Sequence, residues 1–247
     1  MITMNSDLVR HRVELKYRAS SAAAEALVAS LESAGPEFRR QTSWITTIYL
    51  DLPDRRLLRA ARPGSRTAVK LRLRTYFDAG GEECSPLVWM ELKEREGDGS
   101  RKWRFPLPAG RVPEFLQGTL DPSEILDGPH PDPDAVLETV RRIRALAPGP
   151  LSPVGAVRYR RFSLQGGDPC ARITVDRHIA YHVGAPVTHP TALGAPEVCE
   201  DGAVVEVKHA PGPRPPWCDR LLGRRTPVEY SKFGRIARLL SSEAFAR

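Results

Sequence analysis

Stretches in which charged and apolar residues alternate one by one recur in this sequence, and they constrain its fold more than any other feature. The clearest, residues 69–74, reads Val-Lys-Leu-Arg-Leu-Arg and separates three cations from three aliphatic side chains. Successive side chains of a β-strand point to opposite faces, so this period of two predicts strands with one apolar and one charged face. Bounded by turn residues, strands are predicted over residues 12–18, 43–51, 68–76, 87–94, 102–105, 154–164, 170–183 and 203–208.

Helical periodicity occurs in three segments between and after these strands. Residues 21–33 are alanine-rich with serine at the start, and residues 134–146 and 230–245 carry apolar side chains at helical spacing. About eight strands suggest closure into a barrel. The predicted fold class is therefore α+β: an eight-stranded antiparallel β-barrel with flanking helices outside the sheet, formed by one domain over residues 1–247.

The overall charge of the chain indicates the kind of partner it binds. Lysines and arginines number 37 against 30 acidic residues, for a formal net charge of +7. This favours anionic partners and leaves nucleic acid, a membrane surface and polyphosphate open. The four cysteines include no CxxC pair, and no stretch approaches the roughly 18 apolar residues of a membrane helix. We expect a cytoplasmic protein whose membrane association, if any, comes through a partner protein.

The charged strand faces can be interpreted in two ways. An antiparallel sheet often exposes one face to water, and that face carries charge. Here, however, cations outnumber acids on the alternating positions, and closely spaced cations repel one another unless an anion lies among them. If the sheet closes into a barrel, these faces line a tunnel for a polyanion.

A chain of phosphates suits such a lining because it carries charge on every unit. Arginine binds phosphate bidentately and lysine binds it as a point charge. A divalent cation would lie between phosphate oxygens and a few carboxylates. The acids on the charged faces are Glu14, Glu91, Asp176 and Glu206, and each could instead be the ion-pair partner of a neighbouring strand residue.

A series of short motifs gives these faces a more specific interpretation. In chain order they read V-E-L-K-Y, T-I-Y-L-D, V-K-L-R-L-R-T-Y, W-M-E-L-K-E-R, R-K-W-R-F, V-R-Y-R-R-F, A-R-I-T-V-D, V-V-E-V-K and Y-S-K-F. The series resembles the VTC domain, a family of the CYTH or triphosphate tunnel metalloenzyme superfamily. The resemblance implies an eight-stranded tunnel in which the γ-phosphoryl group of ATP is transferred to a growing polyphosphate chain with Mn²⁺ or Mg²⁺ present.

The resemblance also implies roles for individual residues. The catalytic set that it implies is Lys16, Arg72, Arg74, Lys93, Arg161, Arg172 and Lys232. The implied phosphate-binding set is Lys70, Lys102, Arg104, Tyr159 and Lys208. Glu206 is the implied metal ligand, with Glu14 and Glu91 assisting. Lys232 is expected to reach the tunnel from the C-terminal helix.

One departure from the superfamily pattern bears on the reaction. Hydrolytic members typically begin with Glu-x-Glu-x-Lys, whereas this chain has Arg12, Glu14 and Lys16 at those positions. A carboxylate is replaced by a cation, which weakens the case for a second metal ion that activates water and favours a polymerase over a triphosphatase. An inorganic or nucleoside triphosphatase, and a non-catalytic module that binds polyphosphate or RNA, remain alternatives.

Other phosphate-site and metal motifs are not found. The sequence contains no GxxxxGK and no strand-linked GxGxxG. His178 and His182 have the spacing of a zinc helix but continue a predicted strand and lack the adjacent glutamate. The expected partners are ATP or another triphosphate, polyphosphate and a membrane protein, with no specific nucleic acid.

Overall fold

The computed structural model describes residues 13–35, 37–61, 67–96, 99–126, 132–166, 171–183, 191–223 and 225–244. Arg12 and Cys170, each at the start of a predicted strand, lie outside the described residues, as does the end of the predicted helix at residue 245.

Nine strands and six α-helices make up the described part of the chain. The strands are β1 Val13–Ala19, β2 Arg39–Asp51, β3 Thr67–Phe77, β4 Leu87–Glu96, β5 Gly99–Pro108, β6 Ser152–Gly166, β7 Ala171–His182, β8 Val198–Cys199 and β9 Ala203–His209. The helices are α1 Ser21–Glu32, α2 Arg56–Ala60, α3 Val112–Gln117, α4 Pro133–Leu146, α5 Pro216–Leu222 and α6 Lys232–Ala244. Every predicted strand and helix has a counterpart, while β8, α2, α3 and α5 are additional.

The nine strands form one antiparallel sheet in the order β1-β9-β7-β6-β2-β3-β4-β5, with β8 paired to β7. The prediction of a closed eight-stranded barrel is wrong, because no ladder joins β1 to β5 in the described residues. Instead, residue 228 covers the outer edge of β1: the Val228 amide donates to the Lys16 carbonyl at 2.7 Å.

The open sheet is nevertheless strongly curved. Lys93 of β4 and Glu14 of β1 lie far apart in the strand order, yet the Lys93 Nζ and Glu14 Oε2 atoms are 3.6 Å apart. The side chains of one face therefore meet across a hollow, which we call the concave face. Antiparallel register pairs share a face, so the pairs Lys16–Glu206 and Arg72–Glu91 place their strands' charged sides toward this hollow.

Two hydrophobic clusters hold the curved sheet. On the outer side, α1 lays Leu27 and Leu31 on Ile173 and Val205 of β7 and β9. Ser20 begins α1, and its hydroxyl accepts a hydrogen bond from the Ala23 amide at 3.3 Å. The larger cluster joins β2 to β7 with residues from α2, α3, α4 and α6.

The C-terminal helix α6 is not packed outside the sheet as predicted. Its Phe233 is fully buried and stacks on Tyr49 of β2, with ring centroids 5.0 Å apart. Tyr49 is the register partner of Arg72, so it lies on the concave face. The start of α6 thus occupies one end of the hollow, where Phe233 and Ile236 are fully buried.

Candidate functional site

The concave face gathers the charged side chains that the sequence singled out. Cross-strand register puts Lys70, Lys93 and Lys102 side by side on β3, β4 and β5. On the other half of the sheet, Glu14 pairs with Lys208 and Lys208 with Arg172. The remaining members are Lys16, Arg72, Arg74, Glu91, Arg104, Tyr159, Arg161, Asp176, Glu206 and, from α6, Lys232.

Glu91 organises the β3–β5 half of this face. Its side chain is fully buried, and Arg72 Nε and Lys102 Nζ donate to its two carboxylate oxygens at 2.6 and 2.5 Å. Arg74 Nη1 lies 3.5 Å from the same carboxylate. Burial by itself raises the pKa of Glu91, but the three cations hold it well below its usual range. With both oxygens engaged, Glu91 is placed to position cations.

Asp176 plays the same part on the β6–β7 half. Arg161 donates to it bidentately, from Nε at 2.6 Å and from Nη2 at 2.7 Å, and Lys232 Nζ donates at 2.6 Å. Burial opposes ionisation, yet Arg161 and Lys232 lower the pKa of Asp176 to about 2. Lys232 also lies over the ring of Tyr159, 4.4 Å from its centroid.

Glu14 and Glu206 form a third, more accessible group between the two halves. Lys16 and Lys208 pair with them at 2.9 and 2.7 Å, respectively. Burial and the nearby Glu206 carboxylate raise the pKa of Glu14, but the surrounding lysines lower it to about 2. Burial likewise raises the pKa of Glu206, but Lys208, Arg161 and Lys16 hold it well below its usual range, so both carboxylates are ionised at neutral pH and repel each other.

Such a pair of carboxylates suits a divalent cation that is shared with a phosphate. Mg²⁺ usually keeps several waters and takes only one or two carboxylates together with substrate phosphate oxygens. The described residues contain no group of three or more His, Cys, Asp or Glu side chains that could hold a metal ion by themselves. Glu14 and Glu206 fit a metal ion that is shared with a phosphate. Glu91 does not, because Arg72 and Lys102 already donate to its two oxygens.

Several cations of the concave face have no acid that neutralises them fully. Burial, reinforced by Lys93 and Lys16, lowers the pKa of Lys70 to about 8. Burial also lowers the pKa of Lys102 to about 7, although Glu91 opposes the effect. Burial is the main cause of both shifts and the neighbouring cations add to it, so a bound anion would favour the charged form of both amines.

Two further arginines belong to the concave face. Burial and Arg161 lower the pKa of Arg172, whose buried Nε has no hydrogen-bond partner among the described residues. Arg104 lies over the indole of Trp89, 4.6 Å from the ring centroid. An oxygen-rich anion would satisfy Arg172 and leave the Arg104 stack intact.

Residues 230–232 close the end of the hollow that the start of α6 occupies. The Tyr230 carbonyl accepts from Lys16 Nζ at 2.9 Å, and the Ser231 hydroxyl accepts from Lys70 Nζ at 3.1 Å. The hydroxyls of Tyr230 and Tyr181 are 2.7 Å apart. The sequence pointed only to Lys232 in this segment, because Tyr230 and Ser231 resemble an ordinary helix start.

The two histidines set aside as a zinc pair are not among the side chains that line the concave face. His178 lies at a bulge of β7 with a positive φ of 51°, and its ring is 5.9 Å from that of Trp44.

In the described part of the chain, no helix is long and apolar enough to cross a membrane.

The fold and this site define a class of protein: a curved antiparallel sheet whose hollow presents crowded cations and two accessible carboxylates to an anion. Comparison with known families makes the class specific, since the VTC domain matches residues 4–240. The chain belongs to the VTC domain family.

Solved structures share the fold at low sequence identity. A putative adenylyl cyclase from Hippeastrum, described as having a dominant triphosphatase activity, is 14% identical, with 92% of this chain and 95% of that chain covered and a TM-score of 0.53. A putative adenylate cyclase from Bacillus halodurans is also 14% identical, with coverage of 91% and 96% and a TM-score of 0.50. A search of curated proteins found no match.

Proposed function

We propose that this protein is a metal-dependent polyphosphate polymerase that transfers the γ-phosphoryl group of ATP to a growing polyphosphate chain held in the concave face. The observation that carries the proposal is the excess of cations over acids around one hollow, in a chain of the VTC domain family. Phosphoryl transfer requires mainly positioning and charge neutralisation, which this face supplies.

The residues divide by their surroundings into cations that bind and acids that position. Lys16, Lys93 and Lys208 are partly exposed and lie beside the partly exposed acids Glu14 and Glu206, which suits direct contact with phosphate oxygens. Arg72 and Arg74 are held by Glu91, while Arg161 and Lys232 are held by Asp176. Fixed in this way, these deeper cations are preorganised for the charge that develops on the transferring group.

Mn²⁺ or Mg²⁺ is the cofactor that this function needs, and Glu206 with Glu14 would hold it. The ion would neutralise charge on the triphosphate when bound. Glu91 belongs in this proposal with the positioning acids, because its oxygens are already engaged by Arg72 and Lys102.

A second candidate, a tunnel-type triphosphatase, is favoured by the position of α6. The start of this helix occupies one end of the hollow, where Lys16 and Lys70 bond to residues 230 and 231. A short triphosphate fits a hollow with one closed end better than a long chain that must pass through it. The alternative of a binding module has no comparable observation in its favour.

One experiment separates the two reactions. Purified protein is incubated with ATP and Mn²⁺, and polyphosphate is resolved from free phosphate on a gel. Polyphosphate is the expected product of a polymerase, whereas free phosphate alone would establish the triphosphatase.

A further inference from the structure

A second group of cations lies on the outer side of the sheet, behind the concave face. Arg161 and Asp176 meet in the hollow, so the residues next to them, Arg160 and Arg177, point to the other side. Arg160 and Arg177 are direct register partners on β6 and β7, and Trp44 of β2 is the partner of Arg160 on its other flank. We call Trp44, Arg160 and Arg177 the outer cluster.

The two arginines of the outer cluster carry like charges directly opposite each other on neighbouring strands, an arrangement that destabilises a sheet. Arg177 Nη1 pairs with Glu25 of α1, whose side chain is 59% exposed. Arg160 has no such acid among the described residues. The positive charge of the pair is therefore only partly neutralised by the protein itself.

The hydrogen-bonding capacity of the same arginines is also incompletely used. Arg177 is only 7% exposed. The Nε atoms of Arg160 and Arg177 are both buried, and neither has a hydrogen-bond partner among the described residues. A buried donor that stays unpaired costs free energy. An oxygen-rich anion would offset both the charge and the missing hydrogen bonds.

The surroundings of the outer cluster are cationic and aromatic. Arg158 lies over the ring of Trp44, 5.3 Å from its centroid, and its Nη2 donates to the Gly81 carbonyl at 2.9 Å. Trp44, Arg158 and His178 line a cavity of about 450 Å³. Trp44 thus belongs to both the cavity and the cluster, so a ligand held by the arginines has room for a group larger than phosphate.

We propose that the outer cluster is a second phosphate-binding site, separate from the hollow, in which Arg160 and Arg177 hold one phosphate group. Guanidinium groups match phosphate oxygens in bidentate geometry. The phosphate belongs either to an inorganic phosphate chain or to a nucleotide whose base contacts Trp44. This site does not depend on the function proposed above, because none of its residues lies on the concave face.

The test is an NMR titration of the arginine Nε–H signals of the full chain with inorganic pyrophosphate. The variants Arg160→Lys and Arg177→Lys each lack one of these signals and so assign them. We expect both signals to shift with one dissociation constant. Arg160→Gln should weaken the binding seen at Arg177 by about 10–100-fold, the loss expected for a hydrogen bond to a charged group. Glu25→Gln should tighten it about two- to fivefold, because Arg177 loses a competing acid.

Two further measurements define the site and its ligand. Lys93→Ala, on the concave face, should leave the dissociation constant measured at Arg160 and Arg177 unchanged. AMP distinguishes the two sources of phosphate. Binding of AMP that is tighter than that of pyrophosphate, with the difference lost in Trp44→Leu, identifies a nucleotide, whereas weaker binding of AMP identifies an inorganic phosphate chain.

The failure of this inference differs from the failure of the proposed function. If pyrophosphate binds the protein while the Arg160 and Arg177 signals do not shift, the second site is wrong and the proposed function is unaffected. The second site is equally wrong if Lys93→Ala abolishes the shifts, since the signals then report binding in the hollow. If the signals shift as expected but tripolyphosphate does not bind to the concave face, the second site stands and the proposed function fails.

Discussion

Replacing Glu91 with glutamine should be among the most destabilising single changes on the concave face. Glu91 is fully buried, with Arg72, Arg74 and Lys102 around it, and Glu91→Gln leaves those three cations without their counter-charge. Removing one partner of a buried ion pair costs about 3–5 kcal/mol. In a domain of this size, about 2–4 °C of melting temperature is lost per kcal/mol, so the midpoint should fall by roughly 6–20 °C.

The assay is thermal unfolding followed by circular dichroism, with Glu138→Gln as the matched control. Glu138 is a half-exposed residue of α4 that pairs with Arg142 at 2.8 Å, and such helix surface pairs contribute no more than about 0.5 kcal/mol. Tripolyphosphate should restore more stability to Glu91→Gln than to the natural protein, because it supplies the missing negative charge. If both variants melt together, the proposed positioning role of Glu91 is wrong.

Three further predictions concern the remaining charged groups. Glu206→Gln should lower metal-dependent turnover by orders of magnitude while tripolyphosphate still binds, whereas Lys208→Ala should mainly weaken binding. Product assays and calorimetry on both variants check this, and full Mn²⁺-dependent activity in Glu206→Gln would contradict it. Because the pKa of Lys70 is lowered to about 8 and a bound anion should raise it, binding of tripolyphosphate near pH 9 should take up protons. Calorimetry in two buffers of different ionisation enthalpy measures this uptake, and identical heats in the two buffers would contradict the prediction. The pKa of Asp176 is lowered to about 2 from 3.8, so its contribution to folding stability is present above pH 3.8 and is lost as the pH falls toward 2. Unfolding titrations of Asp176→Asn should therefore show a smaller loss of stability over this pH range than those of the natural protein.

The period-two pattern of the sequence was sufficient to predict which side chains share the concave face. The alternation over residues 69–74 placed Lys70, Arg72 and Arg74 together, and the structure has them on one face of β3. This worked because strand geometry alone decides the face of each side chain. The same argument could not show that Glu91 and Asp176 are buried among cations, since that depends on the curvature of the whole sheet.

Closure of the sheet and the position of α6 were beyond the sequence for related reasons. The number of strands does not determine whether the two edges meet, and here the chain near Val228 covers the edge of β1 instead. The amphipathic pattern of residues 230–245 predicted a helix but not the surface that it covers. Ser231 was overlooked because a serine before a helix is explained by capping, and only the folded chain brings Lys70 to it.

The most direct test of the account is the salt dependence of tripolyphosphate binding, measured by calorimetry in the absence of metal. Since several unneutralised cations line the concave face, affinity should fall steeply as salt rises. Lys93→Ala should weaken binding and reduce the slope, whereas Arg141→Ala, on the exposed side of α4, should change neither. A response that is flat with salt, or equal losses in the two variants, would contradict the claim that the concave face is the anion-binding site.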